Sequence, residues 1–353
     1  MIVVVLIVYM LLVFPSISVS TDTESQNNVN SDLFKNISSL KIPKNKTIER
    51  CVKYYTEDQK THLSESLMRG KKYFPIIIDE IKTRNLPREL AWIPVIESAF
   101  LIEARSNNYA AGIWQLMPFT ARSFGLTVDK WVDERLDPWR STKVAFDALE
   151  YFHKKLGCWL LAIAAYNTGE GRIFDAIEQT KSRNFWVLAD MKKIPSQTRF
   201  YVPAVLAIDY IYRNSEKYSL QFEAINDQSW ANITISEHYK IKDLSRCAQT
   251  DVETFRSWNP ALRKCWTPKT DYGYNIRVPA DIIPEFLMNF SHLESITLAN
   301  LKAYEVKRGD TLYKIAKKFG LDIDLIKQIN NMTNNLIYPH DILMIPAISF
   351  KSN

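Results

Sequence analysis

Apolar residues recur at three- and four-residue spacing through the middle of the chain, from about residue 48 to residue 219. The pattern is clearest in "AFDALEYFHKKLG" and "AVLAIDYIYRN", and strictly alternating β-branched runs are absent from this part of the sequence. Helix boundary signals agree, because Pro87 and the pair Asp137–Pro138 suit the start of a helix and Gly157 suits the end of one. The spacing therefore predicts a mainly α-helical domain, which we place at residues 48–225.

The pattern changes beyond Leu220 to short strand-like segments and turns. Residues 304–347 predict the order strand, helix, helix, strand, since "YEV" alternates, two apolar helical faces follow and "ILMIP" closes the unit. Residues 232–279 repeat this order more loosely and end in "YNIRVP". We therefore expect two diverged copies of one small α+β repeat with βααβ order.

The N-terminal residues 1–20 carry no charge. Their apolar part, residues 2–14, is shorter than the ~20 residues that a membrane-spanning helix needs, so a signal peptide is predicted, with Ser18 and Ser20 at its cleavage site. No basic residue precedes the apolar part, which leaves an N-terminal anchor and membrane association as the alternative. The polar residues 21–47 are predicted to be a flexible linker. Either way, we expect an exported protein of the periplasm or cell envelope.

Length and composition indicate two or three folded domains, because the chain has 353 residues, of which 46% are hydrophobic and 24% charged. The net charge of +6 is spread along the chain and forms no dense basic stripe with interleaved aromatic residues. This distribution predicts no nucleic-acid partner.

Four cysteines would meet oxidising conditions in an exported chain and could pair there. Cys247 and Cys265 lie in the looser repeat, and we predict a disulfide between them that would support its small core. The pairing of Cys51 and Cys158 is left open. No spacing of Cys and His resembles a zinc site, so neither a metal nor an organic cofactor is predicted.

Glu97 is the one carboxylate in the apolar run "WIPVIESAF". We place it near the C-terminal end of a helix, where the helix dipole disfavours negative charge and the apolar neighbours exclude water. Both effects raise the pKa of a carboxyl group, which suits a general acid. The alternative is a glutamate that reaches the surface or pairs with Arg105, and this run alone does not decide between the two.

Two later segments add the groups that are typical of a carbohydrate cleft, namely "GIWQLMPFTA" at residues 112–121 and "AIAAYNTGEGRI" at residues 162–173. Sugars offer hydroxyl groups to amides and flat apolar faces to aromatic rings. The segments supply side-chain amides, a phenol and glycines that would let a polymer approach the backbone: Gln115, Asn167, Tyr166, Gly112 and Gly169. Their presence favours the catalytic interpretation of Glu97.

Three segments of the helical domain, "ESAFLIEARSNNYAAGIWQLMPFTA", "AYNTGEGRI" and "PSQTRFYVPAVLA", resemble bacterial lytic transglycosylases of the membrane-bound murein transglycosylase D type. This resemblance implies a lysozyme-like fold of the goose-type-lysozyme and soluble-transglycosylase class. The C-terminal segment from "YEVKRGDTLYKIAKKFG" to "LIYPHDILMIP" resembles a LysM peptidoglycan-binding module. Residues 48–225 and 304–347 match well, while residues 232–279 match loosely, as a degenerate LysM-like module.

The functional residues of the family carry over to matching positions. Its general acid and base falls on Glu97. Its substrate-binding residues fall on Ser98, Ser106, Gln115, Met117, Thr120, Tyr166, Asn167 and Tyr201. The resemblance also implies that Tyr201 helps to hold the acid. Gln197 stands where the family usually has Glu, and we assign it no catalytic role.

In LysM modules the glycan groove lies between the loop after the first strand and the loop before the last. The resemblance implies that its residues here are Asp310, Thr311, Leu312, Leu336 and Ile337. Leu312 also fits the core face of its helix, which is the alternative for that residue. His340 stands where the family usually has Gly in a turn.

The resemblance implies cleavage of the β-1,4 bond between N-acetylmuramic acid and N-acetylglucosamine, with peptidoglycan glycan strands as the partner. Glu97 would act first as acid and then as base, which forms 1,6-anhydromuramic ends without water and serves cell-wall remodelling. One alternative is a hydrolytic muramidase, which needs a second carboxylate; Glu103 is near in sequence, but we predict that it lies on the surface. The other alternative is a catalytically inactive peptidoglycan-binding scaffold.

Overall fold

The computed structural model describes residues 17–21, 34, 37–220, 228–293, 301–330 and 332–346. These residues form two compact units. The helical unit comprises the described residues of 25–129 and 133–227, and the C-terminal unit comprises those of 1–24, 130–132 and 228–353. The helical unit corresponds to the predicted catalytic domain, and the C-terminal unit contains both predicted repeats.

The helical unit is built from α-helices and short helical turns, as the apolar spacing predicts. Its α-helices are α1 (Lys46–Lys53), α2 (Lys60–Gly70), α3 (Phe74–Thr83), α4 (Ile93–Ser98), α5 (Pro118–Ser123), α6 (Pro138–Leu156), α7 (Trp159–Thr168), α8 (Glu170–Thr180), α9 (Phe185–Asp190) and α10 (Ser196–Arg213). A π-helical turn (Tyr54–Asp58) and 3-10 helices (Arg88–Trp92, Glu134–Leu136, Glu216–Tyr218) lie between them.

Several helix ends are set by the residues that predicted them. The Asp137 carboxylate accepts hydrogen bonds from the backbone N–H groups of Trp139 and Arg140, at 2.9 and 3.1 Å, at the start of α6. Gly157 ends α6 with a φ of +71°, a left-handed conformation that favours glycine. Pro87 precedes the 3-10 helix that leads into α4. The predicted boundary signals are therefore confirmed.

Aromatic side chains form much of the core of the helical unit. Trp92 and Trp114 are completely buried, and the ring of Trp92 packs edge-on against Phe74. Trp114 packs edge-on against Phe146, and its Nε1–H donates a 2.8 Å hydrogen bond to the hydroxyl of Thr142. This core lies directly beneath the segments that contain the predicted site, because Trp92 precedes α4 and Trp114 precedes α5.

The predicted flexible linker, residues 21–47, is ordered in its described part, which corrects that expectation. Phe34 is 1% exposed and belongs to the core of the helical unit. The backbone N–H of Leu40 donates a 2.9 Å hydrogen bond to the carboxylate of Glu89, and the hydroxyl of Ser38 donates one of 3.1 Å to the carbonyl of Leu86. A few apolar residues and backbone pairings are enough to fix this polar segment on the domain, which therefore begins before residue 48.

The C-terminal unit contains the two repeats in βααβ order. The first has β2 (Trp230–Ile235), α11 (Ile241–Cys247), α12 (Val252–Trp258) and β3 (Tyr274–Pro279), followed by a 3-10 helix (Ala280–Ile282) and α13 (Ile283–Phe290). The second has β4 (Leu301–Glu305), α14 (Leu312–Phe319), α15 (Ile323–Ile329) and β5 (Ile342–Pro346). The strands pair antiparallel, β2 with β3 and β4 with β5. The predicted small α+β repeat is confirmed in both places.

In each repeat, the side chain of one asparagine links the end of the second helix to the closing strand. The Asn259 side chain donates to the carbonyl of Phe255 at the end of α12, and it exchanges two hydrogen bonds with the backbone of Arg277 in β3. Asn330 makes the corresponding bonds at the end of α15, to the carbonyl of Ile326 and to the backbone of Met344 in β5. The second helix and the closing strand are therefore linked in the same way in both repeats, and their common origin stays a prediction.

The predicted disulfide between Cys247 and Cys265 is wrong. All four cysteines lie within the described residues, and all four are free thiols. Cys247 is buried in the apolar core of the first repeat, while Cys265 is exposed. Burial raises the pKa of the Cys247 thiol to about 11, which keeps it protonated and unreactive at neutral pH. The core of this repeat therefore holds together through packing and its asparagine link.

The N-terminal prediction is largely outside the described residues. The described piece, β1 (Ile17–Thr21), includes Ser18 and Ser20 and pairs antiparallel with β2. Across the described residues, no helix combines the length and the apolar character that crossing a membrane requires.

Candidate active site

Glu97 lies in the last turn of α4, close to the C-terminal end as predicted. The chain then turns sharply, because Ala99 and Phe100 both have positive φ angles, of +50° and +59°. The ring of Phe100 is buried and occupies the space where a side chain at Gly70 would stand. This turn ends α4 directly after the glutamate and sends the chain away from it.

The Glu97 carboxylate accepts a hydrogen bond from the hydroxyl of Tyr201, with 2.5 Å between Tyr201 Oη and Glu97 Oε1. Burial raises the pKa of Glu97 to about 7, and the hydrogen bond from Tyr201 opposes that rise. The alternative pairing with Arg105 is wrong, since the Arg105 guanidinium lies 3.3 Å from the carboxylate of Asp133 instead. A carboxyl group with a pKa near 7 can both give and take a proton at neutral pH.

Two tyrosine hydroxyls face this carboxylate. Tyr201 is buried on α10, and Tyr166 is half-buried near the end of α7, where its hydroxyl donates a 2.8 Å hydrogen bond to the carbonyl of Trp114. Burial, with the nearby charge of Glu97, raises the pKa of both phenols well above the ordinary value. Both hydroxyls therefore stay protonated and act as hydrogen-bond donors. Of the two, Tyr201 is the one that bonds to Glu97.

Ser98 and Asn167 join segments around Glu97. The hydroxyl of Ser98 donates a 2.8 Å hydrogen bond to the carbonyl of Ile113, which ties α4 to the segment before α5. The side-chain oxygen of Asn167 accepts a 2.9 Å hydrogen bond from the hydroxyl of Thr198, which ties α7 to α10. Thr198 was missed by the sequence reasoning, although it lies inside the motif "PSQTRFYVP".

Gln115 closes the loop that connects α4 to α5. Its backbone has a φ of +46°, and its amide nitrogen donates to the carbonyls of Ala104 and Gly112, at 3.1 and 2.9 Å. Gly112 has a φ of +81°, and a Cβ atom there would lie 1.9 Å from the carbonyl oxygen of Arg135. Gly112 is therefore required by the protein's own backbone, which corrects the expectation that it admits a polymer. Gly169 differs, because a Cβ there would meet no atom within 4 Å.

The buried ion pair of Arg135 and Asp133 also stabilises the loop between α4 and α5. The guanidinium of Arg135 bonds to both carboxylate oxygens of Asp133 and also donates to the carbonyls of Tyr109 and Leu116, at 2.5 and 3.0 Å. Burial alone would raise the pKa of Asp133, but the hydrogen bonds and charge of Arg135 lower it below the ordinary value. The sequence reasoning missed this pair; the signal available was the charged run "DERLD" before α6.

The remaining predicted binding residues, Ser106, Met117 and Thr120, lie in the loop between α4 and α5 or in α5. Ser106 is exposed, and its hydroxyl accepts a 3.0 Å hydrogen bond from the backbone of Ala110. Met117 is 43% exposed and Thr120 is half-buried in α5. Their contact with substrate stays a prediction. Glu103 is exposed on the surface, as predicted.

In the second repeat, the predicted groove residues divide into structural and exposed positions. Asp310 holds its turn by accepting hydrogen bonds from the Lys307 backbone and the Tyr304 hydroxyl, and Thr311 caps α14. Leu312 is 2% exposed and belongs to the core, so its predicted glycan contact is wrong and the core alternative is correct. Ile337 is half-buried against that core.

Exposed apolar side chains near these positions are Tyr313, in the first turn of α14, and Leu336 and Tyr338, in the loop before β5, at 66%, 64% and 63% exposure. The two tyrosines were not predicted, and they offer the flat aromatic faces that sugar rings stack on. His340 adopts a φ of +74°, the left-handed conformation that the family's glycine would favour.

Comparison with known proteins identifies both parts of the chain. The Transglycosylase SLT domain matches residues 74–189, and the LysM domain matches residues 304–346. The membrane-bound lytic murein transglycosylase D of Escherichia coli is 31% identical over 322 residues, which cover 87% of this chain and 70% of that protein.

Two further proteins match part of the chain. The soluble lytic murein transglycosylase of Salmonella typhimurium is 32% identical over 141 residues, which cover 38% of this chain and 21% of that protein. The X-ray structure of an inactive mutant of the lytic transglycosylase Slt from Pseudomonas aeruginosa is 28% identical, with a TM-score of 0.35, and the match covers 43% of this chain and 26% of that one. From the first of these relatives and the two domain matches, the chain belongs to the membrane-bound lytic murein transglycosylase D family.

Proposed function

We propose that this protein is a peptidoglycan lytic transglycosylase that cleaves the β-1,4 bond between N-acetylmuramic acid and N-acetylglucosamine. The observation that carries the proposal is Glu97, whose pKa is raised to about 7 by burial while Tyr201 holds its carboxylate. Near neutral pH such a group is present in both protonated and ionised forms. A single carboxyl group can therefore serve both halves of the reaction.

In the first half of the reaction, protonated Glu97 gives its proton to the glycosidic oxygen. The bond from that oxygen to C1 of the muramic sugar breaks, and the N-acetylglucosamine side leaves with a new hydroxyl group. The substrate's own acetamido group stabilises C1 at this point, so no second carboxylate is needed. The apolar surroundings of Glu97 keep it protonated until this step.

In the second half, ionised Glu97 takes the proton from the C6 hydroxyl of the same muramic sugar. The C6 oxygen bonds to C1, which closes a 1,6-anhydro ring and restores protonated Glu97. Tyr201 supports this half, because a hydrogen bond to the carboxylate stabilises its ionised form. No water is consumed, which separates this reaction from hydrolysis.

The experiment that tests the proposal compares the wild type with Glu97→Gln on purified sacculi. Soluble muropeptides are identified by mass spectrometry. We expect anhydro ends from the wild type and no release from Glu97→Gln, because the amide keeps the size of the side chain but is far too weak an acid to protonate the glycosidic oxygen. Reducing ends would instead indicate a muramidase that uses water, and no release by either protein would indicate a binding scaffold.

We further propose that the protein acts in the cell envelope, with residues 1–20 as signal peptide or anchor and residues 304–347 as a glycan-binding module. Two features support this: the LysM domain match and the membrane-bound relative in Escherichia coli. Linking a weak glycan binder to the catalytic domain raises the local substrate concentration without any change at Glu97. The role would be remodelling of the cell wall.

A further inference from the structure

Asp209 is a completely buried carboxylate in α10 that the proposed reaction does not use. Its Oδ1 accepts hydrogen bonds from Arg88 Nε at 2.8 Å and from Trp92 Nε1 at 3.1 Å. Its Oδ2 lies 2.8 Å from Arg213 Nε in an ion pair. Burying a charge is costly unless it is paired in this way, so the carboxylate requires its partners to stay in place.

Two of the three partners of Asp209 lie in the segment that leads to the catalytic acid. Arg88 and Trp92 are the first and last residues of the 3-10 helix, and α4, which contains Glu97, begins at the next residue. The Trp92 ring is itself fixed, because it is completely buried and packs against the rings of Phe34, Phe74 and Tyr212. A single carboxylate thus fixes both ends of the short helix before α4.

The same helix, α10, also holds the acid itself. Tyr201 and Asp209 are eight positions apart on α10, which is roughly 12 Å along a helix axis. Tyr201 bonds to the carboxylate of Glu97, and Asp209 bonds to the start of the segment that carries Glu97. The chain from Arg88 to Glu97 is therefore attached to α10 at two points, on either side of Pro203, which lies inside this helix.

We propose that Asp209 is a positioning residue for the catalytic acid: by fixing Arg88 and Trp92 to α10, it sets the distance between Glu97 and Tyr201. This inference rests on the proposed role of Glu97. Asp209 does not touch the acid or the substrate site in this arrangement, and it acts only through the attached segment.

Different charged and titratable groups surround Asp209 and Glu97, and they determine how substitution of Asp209 can affect Glu97. Arg88, Arg213 and Glu89 face Asp209, and burial together with the charge of Asp209 raises the pKa of Glu89 to about 7. Tyr201 and Tyr166 face Glu97. Loss of the Asp209 charge therefore weakens the bonds from Arg88 and Trp92 without removing any group that faces Glu97.

The test uses the full-length protein and soluble, uncrosslinked glycan strands. In Asp209→Asn, we expect kcat to fall about 10-fold while KM changes little, since a small displacement of a catalytic group lowers the rate of chemistry. We also expect the alkaline limb of the pH–rate profile to move to higher pH. The hydrogen bond from Tyr201 lowers the pKa of Glu97, so loosening that bond must raise it.

Two further variants separate positioning from simple loss of stability. Trp92→Phe keeps an aromatic ring but removes the N–H group that donates to Asp209, and it should move the alkaline limb in the same direction. Arg84→Gln removes a largely buried arginine whose ion pairs go to Glu80, Asp147 and Glu150 rather than to Asp209, so its pH–rate profile should match the wild type.

An unchanged alkaline limb in Asp209→Asn, with activity lost only in proportion to the unfolded fraction, would overturn the inference. A shift of equal size in Arg84→Gln would also overturn it, because the ion pairs of that arginine go to α3 and α6 and not to Asp209. The proposed function fails separately, through retained activity in Glu97→Gln. If Glu97→Gln is inactive while Asp209→Asn behaves like the wild type, the proposed function stands and only the positioning role of Asp209 is wrong.

Discussion

The protonation state of the Glu97 carboxyl group depends on two opposing influences of its immediate surroundings. Burial removes water from Glu97 and raises its pKa, whereas the Tyr201 hydroxyl stabilises the ionised form and lowers it. The balance, a pKa of about 7, is what the two-step use of Glu97 requires. Either influence can be changed by substituting a single residue.

Removal of the Tyr201 hydroxyl is predicted to shift the pH dependence. In Tyr201→Phe, Glu97 loses the hydrogen bond that lowers its pKa, so the alkaline limb of the pH–rate profile should move up by about 1 unit. At low pH the first step keeps its protonated acid, and the loss of rate should come from the second step. The measurement is kcat/KM against pH on soluble glycan strands.

The matched control is Tyr166→Phe, since the Tyr166 hydroxyl donates to the Trp114 carbonyl rather than to Glu97. Its alkaline limb should stay close to that of the wild type. Equal shifts in both variants would mean that general polarity, and not the bond from Tyr201, sets the pKa of Glu97.

At the scale of elements, the loop between α4 and α5 depends on side chains that do not reach the catalytic acid. Arg135 donates to two of its backbone carbonyls and pairs with buried Asp133. Ser98 and Gln115 bond to other carbonyls of the loop. Ser98 and Gln115, which the sequence predicts as substrate-binding residues, therefore also fix the backbone conformation near Glu97.

Loss of the Arg135 side chain is predicted to destabilise the helical unit strongly. Arg135→Ala leaves the buried Asp133 carboxylate without its main partner, and such a change costs about 3 kcal/mol or more of unfolding free energy. The comparison is Arg105→Ala, because Arg105 pairs with the same carboxylate from the exposed side. That variant should lose less than about 1 kcal/mol.

Chemical denaturation of the full-length protein measures both values. If the two arginine variants were equally stable, the loop would not depend on the buried ion pair. Loss of activity in Arg135→Ala without loss of stability would point to a direct role in the cleft instead.

At the scale of the whole molecule, catalysis and glycan binding are assigned to different units of one chain. The helical unit contains Glu97, and the C-terminal unit contains the second repeat, in which Tyr313 and Tyr338 are exposed. If a glycan stacks on these rings, their loss should weaken attachment to the cell wall and leave the catalytic site intact.

Tyr338→Ala is predicted to reduce the fraction of protein that sediments with sacculi. Its kcat on short soluble strands should stay at the wild-type value, because those strands need no second attachment. Tyr272→Ala is the matched variant in the first repeat, where this tyrosine is 97% exposed in the turn before β3. Unchanged sedimentation in Tyr272→Ala, with a decrease in Tyr338→Ala, would assign glycan binding to the second repeat; equal decreases would assign it to both.

The helices and strands of the structure agree closely with those predicted from the sequence, and the positions of their boundaries explain this agreement. Helices α14 and α15 and strand β5 lie where the apolar spacing places them, and α6 begins at Asp137–Pro138 and ends at Gly157. Each of these features depends on residues within a few positions of one another. The polar segment before α1 and the first-repeat cysteines were misjudged, because their state depends on distant groups such as Glu89 and on burial.

The sequence by itself determined the helical domain, the two small repeats and, through its motifs, the glutamate at the centre of the site. The resemblance also implied that Tyr201 holds this acid, whereas only the tertiary structure showed the bond itself and the contacts of the segment that carries Glu97. The partner of Glu97 is a tyrosine 104 positions away, and the Asp209 contact with Arg88 spans 121 positions. Such contacts form when helices that are remote in sequence pack together, because burial and hydrogen bonding depend on distance in space and not on spacing along the chain.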